Sequence, residues 1–223
     1  MRDYPISINQ LVNFPYSTEN GKRRIIAQQL EPDRFRISWY QLSKARVKKS
    51  VELKGDLQPV YDGIKTLMVR KPTSKRQETD RRVSIEALER FVDMGLPKVL
   101  LNINYSKIKL SNKCLTFAGV DIIVAPEIVV EALIGGKRVV GGIKIHISKG
   151  SPFDFKQSKI VAYTVFKLLE NEFSSNGTEV LPELCFCLDI FAGKIISAQN
   201  TDSSILMELE KICEEIKALY NAA

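Results

Sequence analysis

A chain of 223 residues with 44% hydrophobic and 26% charged residues holds enough apolar material for a packed core, which excludes wholesale disorder. No apolar run is long enough to cross a bilayer, and the opening MRDYPISINQ has no apolar signal core, so the sequence predicts a cytoplasmic protein with no membrane partner. The net charge of +7 is segregated: residues 1–82 hold 18 Lys/Arg against 9 Asp/Glu, whereas residues 83–223 hold 15 against 17.

In chain order, Ser7 predicts the N-cap of a short helix that runs to Leu11. A second helix is expected over residues 22–30, with Ile25, Ile26 and Leu30 on one face and Lys22, Arg23 and Arg24 leading it, closed by Glu31-Pro32-Asp33. A third covers residues 38–49, anchored in a core by Trp39, Leu42 and Val47 and presenting Lys44, Arg46, Lys48 and Lys49 on its other face. Residues 57–68 carry a helical period. The polar stretch 70–76, with Pro72, reads as a loop. Residues 84–94 form an amphipathic helix (Ile85, Leu88, Phe91, Val92) stopped by Gly95 and Pro97. Strands follow at 99–105, 107–110, 116–130 with a break at Pro126, and 138–147, the last two joined by a Gly135-Gly136 hairpin turn. A long helix from 154 to 173, a buried strand at 184–191, a turn at Gly193-Lys194 and a closing helix at 203–219 complete the order. Helix, strands, helix, strand, helix predicts an α/β fold, a mixed central sheet flanked by helices, behind a basic helical N-terminal region. The division drawn is 1–82 for the basic region and 83–223 for the core.

The four cysteines include a Cys185-x-Cys187 pair inside an apolar run, which points both thiols to one face of a strand and lacks the spacing of a redox or zinc pair. They read as buried and reduced. Glycine-rich phosphate loops, H-E-x-x-H and G-x-S-x-G are absent from the sequence. Asp189 interrupts the apolar run Cys187-Leu188-Asp189-Ile190, which places it at the polar end or face of that strand.

A concentrated positive region attracts phosphate backbones by counterion release and steering. The expected partner is therefore nucleic acid, DNA or RNA, met by Lys22, Arg23, Arg24, Lys44, Arg46, Lys48 and Lys49. Phe35, Trp39 and Tyr40 lie among Arg34, Arg36, Lys44 and Arg46, a mixture that stacks bases and grips phosphates, although Trp39 and Tyr40 also suit core anchoring.

Pro126-Glu127, the Gly-Gly hairpin, and Gly142-Ile143-Lys144-Ile145-His146 resemble the PD-(D/E)XK, or restriction-endonuclease-like, core over residues 84–200. The resemblance implies a helix, a curved hairpin, then a helix and a further strand. It also implies two carboxylates holding Mg²⁺ at a scissile phosphate, with a lysine assisting the attacking water. Glu127 matches the first acid and Lys144 the lysine, while Gly142 stands where the second acid belongs. Asp121 is the candidate second metal ligand, if one strand carries it and Glu127 to the same side. Glu86 or Glu89 on the preceding helix, and His146 on the strand face of Lys144, are the other candidates. Equally, Glu127 is a polar residue at a strand edge and Lys144 snorkels from a half-buried strand.

Three expectations follow. The first is a nucleic-acid-binding protein of this fold that is degenerate and non-catalytic. The second is a Mg²⁺-dependent nuclease with Glu127, Lys144 and His146 catalytic and Glu127 and Asp121 holding the metal. The third is a plain interaction module whose basic surface binds an acidic partner; a protein partner within a nucleoprotein assembly belongs to the first.

Overall fold

The structure, a computed structural model, describes residues 4–31, 39–173 and 177–222. Pro32, Asp33, Arg34, Phe35, Arg36 and Ser38, to which the sequence assigns a helix stop, cations among aromatics and a helix start, lie outside the described residues.

A short strand β1 (Pro5–Ser7) leads into α1 (Ile8–Asn13), whose first turn is capped by the Ser7 hydroxyl accepting from the Gln10 N–H, as the sequence predicts. Helix α2 (Glu19–Leu30) starts at a Thr18 cap and buries Ile26. Helices α3 (Gln41–Glu52), α4 (Gln58–Val69) and α5 (Lys75–Met94) then pack together. The loop before α5 is shorter than expected and the helix longer. Ser74 caps it by accepting from the Gln77 N–H, and residues 75–82 are helical although they have no apolar period, because Lys, Arg, Gln and Glu are good helix formers at solvated positions.

The strand expected over 99–105 is also corrected. Pro97 opens a single helical turn, α6 (Lys98–Asn102), and the strand β2 is Tyr105–Ile108. The run at 116–130 is three strands: β3 (Cys114–Phe117), β4 (Val120–Ile123) and β5 (Ile128–Ile134). Ala118 and Gly119 turn the chain between β3 and β4 with φ of 47° and 78°. Strand β6 (Lys137–His146) returns through Gly135 and Gly136, whose φ of 59° and 79° make the primed turn that a tight hairpin needs. Helix α7 (Phe155–Phe173), β7 (Glu179–Asp189), β8 (Lys194–Ser197) and α8 (Ser203–Ala222) follow.

The strands form two sheets. The larger has the order β2-β5-β6-β7-β8 and is mixed: β6 and β7 are parallel, joined by the α7 crossover that such a pair requires, and its other pairings are antiparallel. The smaller has the order β1-β4-β3, with β1 parallel to β4. The fold is thus α/β with mixed sheets flanked by helices.

Alternation along the strands divides the core in two. Ile128, Val130, Ile143, Ile145, Phe186 and Leu188 face α3, α4 and α5, where they meet Val47, Val51, Val60, Leu67, Leu88 and Phe91. Val129, Val140, Cys185 and Cys187 face the other way, onto Val161, Val165 and Leu169 of α7, beyond which lie α1, α2, α8 and the small sheet. All four cysteines are free thiols; Cys185, Cys187 and Cys213 are buried and Cys114 half-buried. Burial pushes the Cys185 and Cys213 thiols up to about 12. No helix among the described residues is long and apolar enough to cross a membrane.

Candidate functional site at the foot of the β5–β6 hairpin

The site begins with a broken strand. Ala125 has a φ of 42°, and Pro126 after it has no N–H to give a ladder, so the chain leaves the small sheet at Ile123 and joins the large one only at Ile128. Strand β6 runs three residues past Ile143, the partner of Ile128, which leaves its edge without β5 opposite Lys144–His146. Glu127 fills that edge. Its N–H donates to the Ile143 carbonyl at 2.9 Å, and its Oε2 accepts from the Ile145 N–H at 2.6 Å, so a side chain completes the ladder where the backbone stops.

Two lysines converge on the other carboxylate oxygen. Lys144 Nζ lies 3.4 Å from Glu127 Oε1 and donates to the Ala125 carbonyl at 2.9 Å. Lys44 Nζ reaches the same oxygen at 2.5 Å from α3. The Ser43 hydroxyl beside it is buried and donates to the Ser84 carbonyl of α5 at 2.9 Å, which pins the start of α3 over this end of the sheet. Lys144 is only 7% exposed. Burial therefore lowers its pKa; the Glu127 charge pulls it back up and Lys44 pushes it further down.

His146 shares the strand face of Lys144, but its polar partner is the Ser151 carbonyl, 2.9 Å from Nε2, which makes Nε2 the protonated nitrogen. Its ring stacks on Phe153 with centroids 3.6 Å apart. Burial holds the imidazole below its usual pKa, against upward pulls from the Ser151 carbonyl and Asp189. Asp189 is opposite His146 in the parallel pair and, as expected, ends its strand, but it has no exposed surface, so the expected polar setting is corrected to a buried one. Its carboxylate accepts from the Phe153 N–H at 2.6 Å and the Ala192 N–H at 3.0 Å, tying down the loop that carries Ser151. Its break in an apolar run was the signal for this anchoring role.

The remaining candidates are dispersed. Asp121 sits on β4 in the small sheet and accepts from the Thr116 hydroxyl at 2.6 Å, and the strand break at Ala125 removes the continuous strand that would have aligned it with Glu127. Glu86, on α5, is held by Lys149 at 2.6 Å and Arg90 at 3.3 Å, and Lys149 foremost depresses its pKa. Glu89 is exposed on the same helix. Gly142 faces α7: a Cβ there would stand 2.8 Å from Val165 Cγ1 and 2.9 Å from Leu169 Cδ1.

The predicted cations divide between two layers. Lys22 bridges Glu19 at 3.2 Å and Glu215 at 2.5 Å, with Arg23 and Arg24 exposed beside it on α2, whose Ile26 belongs to the core around α7 and α8. Lys44, Arg46, Lys48 and Lys49 are on α3, whose Val47 and Val51 belong to the core on the opposite sheet face. Of these, Lys44 is engaged by Glu127 and Lys49 lies 3.9 Å from Glu52. Lys48 is half-buried, and the Arg46 stem fills the space over Gly63. Sequence reasoning marked Lys44 as a phosphate contact and missed its reach to Glu127.

Magnesium takes several oxygen ligands with one or two carboxylates among them. Both Glu127 oxygens here accept from donors, Glu86 and Asp121 are engaged elsewhere, and no group of three or more His, Cys, Asp or Glu side chains suited to a metal occurs among the described residues. The arrangement offers a metal ion one donor-saturated carboxylate and no pair.

No protein-family model matches the sequence, and no curated protein matches it.

Proposed function

We propose that this protein binds nucleic acid through the outer surface of the α3–α5 layer and does not hydrolyse it. Residues 41–94 carry 13 Lys/Arg against 8 Asp/Glu, with 12 against 5 in 41–82, and they fold into one helical layer on one face of the large sheet. Lys65, Arg70, Lys71, Lys75 and Arg82 are exposed on it. A phosphate backbone neutralises such a surface with release of counterions and needs no base-specific contact.

The observation that carries the non-catalytic half is the state of Glu127. Its carboxylate serves as a ladder acceptor and as counter-ion to Lys44 and Lys144, and the Gly142 position is closed by α7. The helix α5, the β5–β6 hairpin, the α7 crossover and parallel β7 support reading the core as a restriction-endonuclease-like fold in which acid and lysine hold the hairpin foot together. Four free thiols, three of them buried, suit a cytoplasmic setting.

A metal-dependent nuclease is the second reading. The contact between Glu127 and Lys144 favours it, since an acid and a lysine stand side by side at the matching positions. In that case Mg²⁺ would be held at Glu127 and would polarise the phosphate, with Lys144 neutralising developing charge.

Labelled single- and double-stranded DNA and RNA, titrated in EDTA and again in Mg²⁺ or Mn²⁺, separate the two. The first reading expects binding that needs no metal, no stronger in Mg²⁺ or Mn²⁺ than in EDTA because divalent ions compete for the phosphates, and intact substrate on a denaturing gel. Metal-dependent cleavage abolished by Glu127→Ala and by Lys144→Ala establishes the second. Absence of binding to any of the four probes rejects both and leaves an acidic protein as the partner.

A further inference from the structure

The only tryptophan of the chain is not a core anchor. Trp39 is 43% exposed and stands at the mouth of a groove of about 370 Å³ between the start of α3 and the facing ends of α4 and α5. Leu42 and Leu67 give the groove apolar walls. Arg76 lies over the indole with its guanidinium carbon 5.4 Å from the ring centroid, and Arg70 stands at the rim. The amides of Gln41 and Gln77, each able to donate and to accept, line the groove as well.

The residue after Trp39 is firmly held. Tyr40 begins α3 in the left-handed region, with a φ of 60°, which residues with a Cβ rarely adopt. Its N–H is held at 2.9 Å by the Asp80 carboxylate of α5, and its ring packs edge-on against Phe191 at 5.9 Å. The neighbour of Trp39 is thus packed inward and fixed at two points, while the indole is 43% exposed.

From this geometry we infer that the Trp39 groove takes a nucleotide, its base set against the indole and its phosphate met by Arg70 at the rim. The volume lies at the small end of the range for ligand pockets, about 300–1,000 Å³, and so admits one nucleotide at a time. An exposed indole offers every base a π-face, and amide-bearing walls suit donors and acceptors on a base edge without selecting one base. The Arg70 guanidinium supplies charge that an apolar peptide side chain would not need, while the acidic lining residue, Asp80, accepts from the Tyr40 N–H. The inference rests on the nucleic-acid reading for its biological source, the end or an unstacked base of a strand; a free mononucleotide presents the same chemistry.

Because Trp39 is unique, its emission reports the site directly. Titration with AMP and with octathymidylate should quench it saturably, and Arg70→Ala should weaken the quench. A labelled octathymidylate followed by anisotropy should bind Trp39→Ala about tenfold or more weakly and Trp39→Phe within a few-fold of wild type, since stacking contributes on the order of 1–3 kcal/mol per base. If octathymidylate binds with a steep salt dependence while Trp39 emission does not change and Trp39→Ala binds as wild type, the groove assignment is wrong and the basic-layer reading stands. Quenching by AMP with no binding of any oligonucleotide upholds the groove and rejects the polyanion reading. Emission unmoved by both ligands rejects the groove outright.

Discussion

Lys44 of helix α3 and Glu127 at the foot of the β5–β6 hairpin are joined at 2.5 Å, which ties the cationic helical layer to the edge of the large sheet. Glu127 is 11% exposed and also holds Lys144 and the Ile145 N–H, so it is the hub of this corner. Glu127→Ala would strand a buried ammonium and leave a strand N–H unpaired. It should lower stability by about 2–4 kcal/mol, below the full figure for a buried pair because Lys44 can turn to solvent. Lys144→Met keeps Glu127 bonded to Lys44 and Ile145 and should lose less. Urea unfolding of the two variants checks the order; equal losses would show that Glu127 matters only as a partner of Lys144.

Gly142 tests whether the missing acid is a vacancy or a packing requirement. A side chain there meets Val165 and Leu169 of α7 inside van der Waals distance and carries its charge into an aliphatic layer. Gly142→Asp should cost roughly 3 kcal/mol or more, from overpacking plus burial of a carboxylate, and should create no Mg²⁺-dependent cleavage. Thermal melting and a nuclease assay give the two readings. A stable, cleaving Gly142→Asp protein would mean that α7 gives way and the metal site is latent.

His146 governs behaviour on the acid side. Its folded pKa is lowered by burial, so between that value and about 6.5 the unfolded chain binds the proton and the folded one does not. The stability it contributes is present in full above about 6.5 and is lost as pH falls through the window, by about 1.4 kcal/mol per unit of depression. The groups acting on it are the Ser151 carbonyl and Asp189, which favour the charged ring, and Lys44 and Lys144, which oppose it. Melting temperatures from pH 7.5 to 5 should fall less steeply in His146→Gln than in wild type. Parallel slopes would place the acid sensitivity in the carboxylates.

Much of this architecture was legible in the residues. Gly135-Gly136 between alternating apolar runs marked the hairpin, and the periods of 154–173 and 203–219 marked α7 and α8 to within a few residues. What escaped depends on partners distant in sequence. Residues 75–82 have no apolar stripe because that part of α5 faces solvent, so only its Ser74 cap announced it. In the run at 116–130, Pro126 marked the break before β5, but the division into two sheets was hidden, since Ala118-Gly119 turn the chain between β3 and β4 without a Pro-Gly or Asn-Gly signature. Glu127 and Lys144 were singled out together by their match to a motif, and the structure places them side by side, whereas the third member, Lys44, comes from a helix whose packing no local pattern describes. Trp39, expected as an apolar anchor of the third helix, is 43% exposed beside the left-handed Tyr40.

The central claim is that phosphates meet the α3–α5 layer, and charge reversal with salt titration tests it most directly. The layer variant Lys65→Glu/Lys71→Glu/Lys75→Glu alters exposed residues only, as does the control Arg23→Glu/Arg24→Glu on α2, across the sheet. Affinity for a duplex measured from 50 to 200 mM salt should fall on a log–log slope of about −0.9 per phosphate contact in wild type. The account predicts a shallower slope and weaker binding in the layer variant and little change in the α2 control. The reverse pattern, or a wild-type affinity that ignores salt, would contradict it.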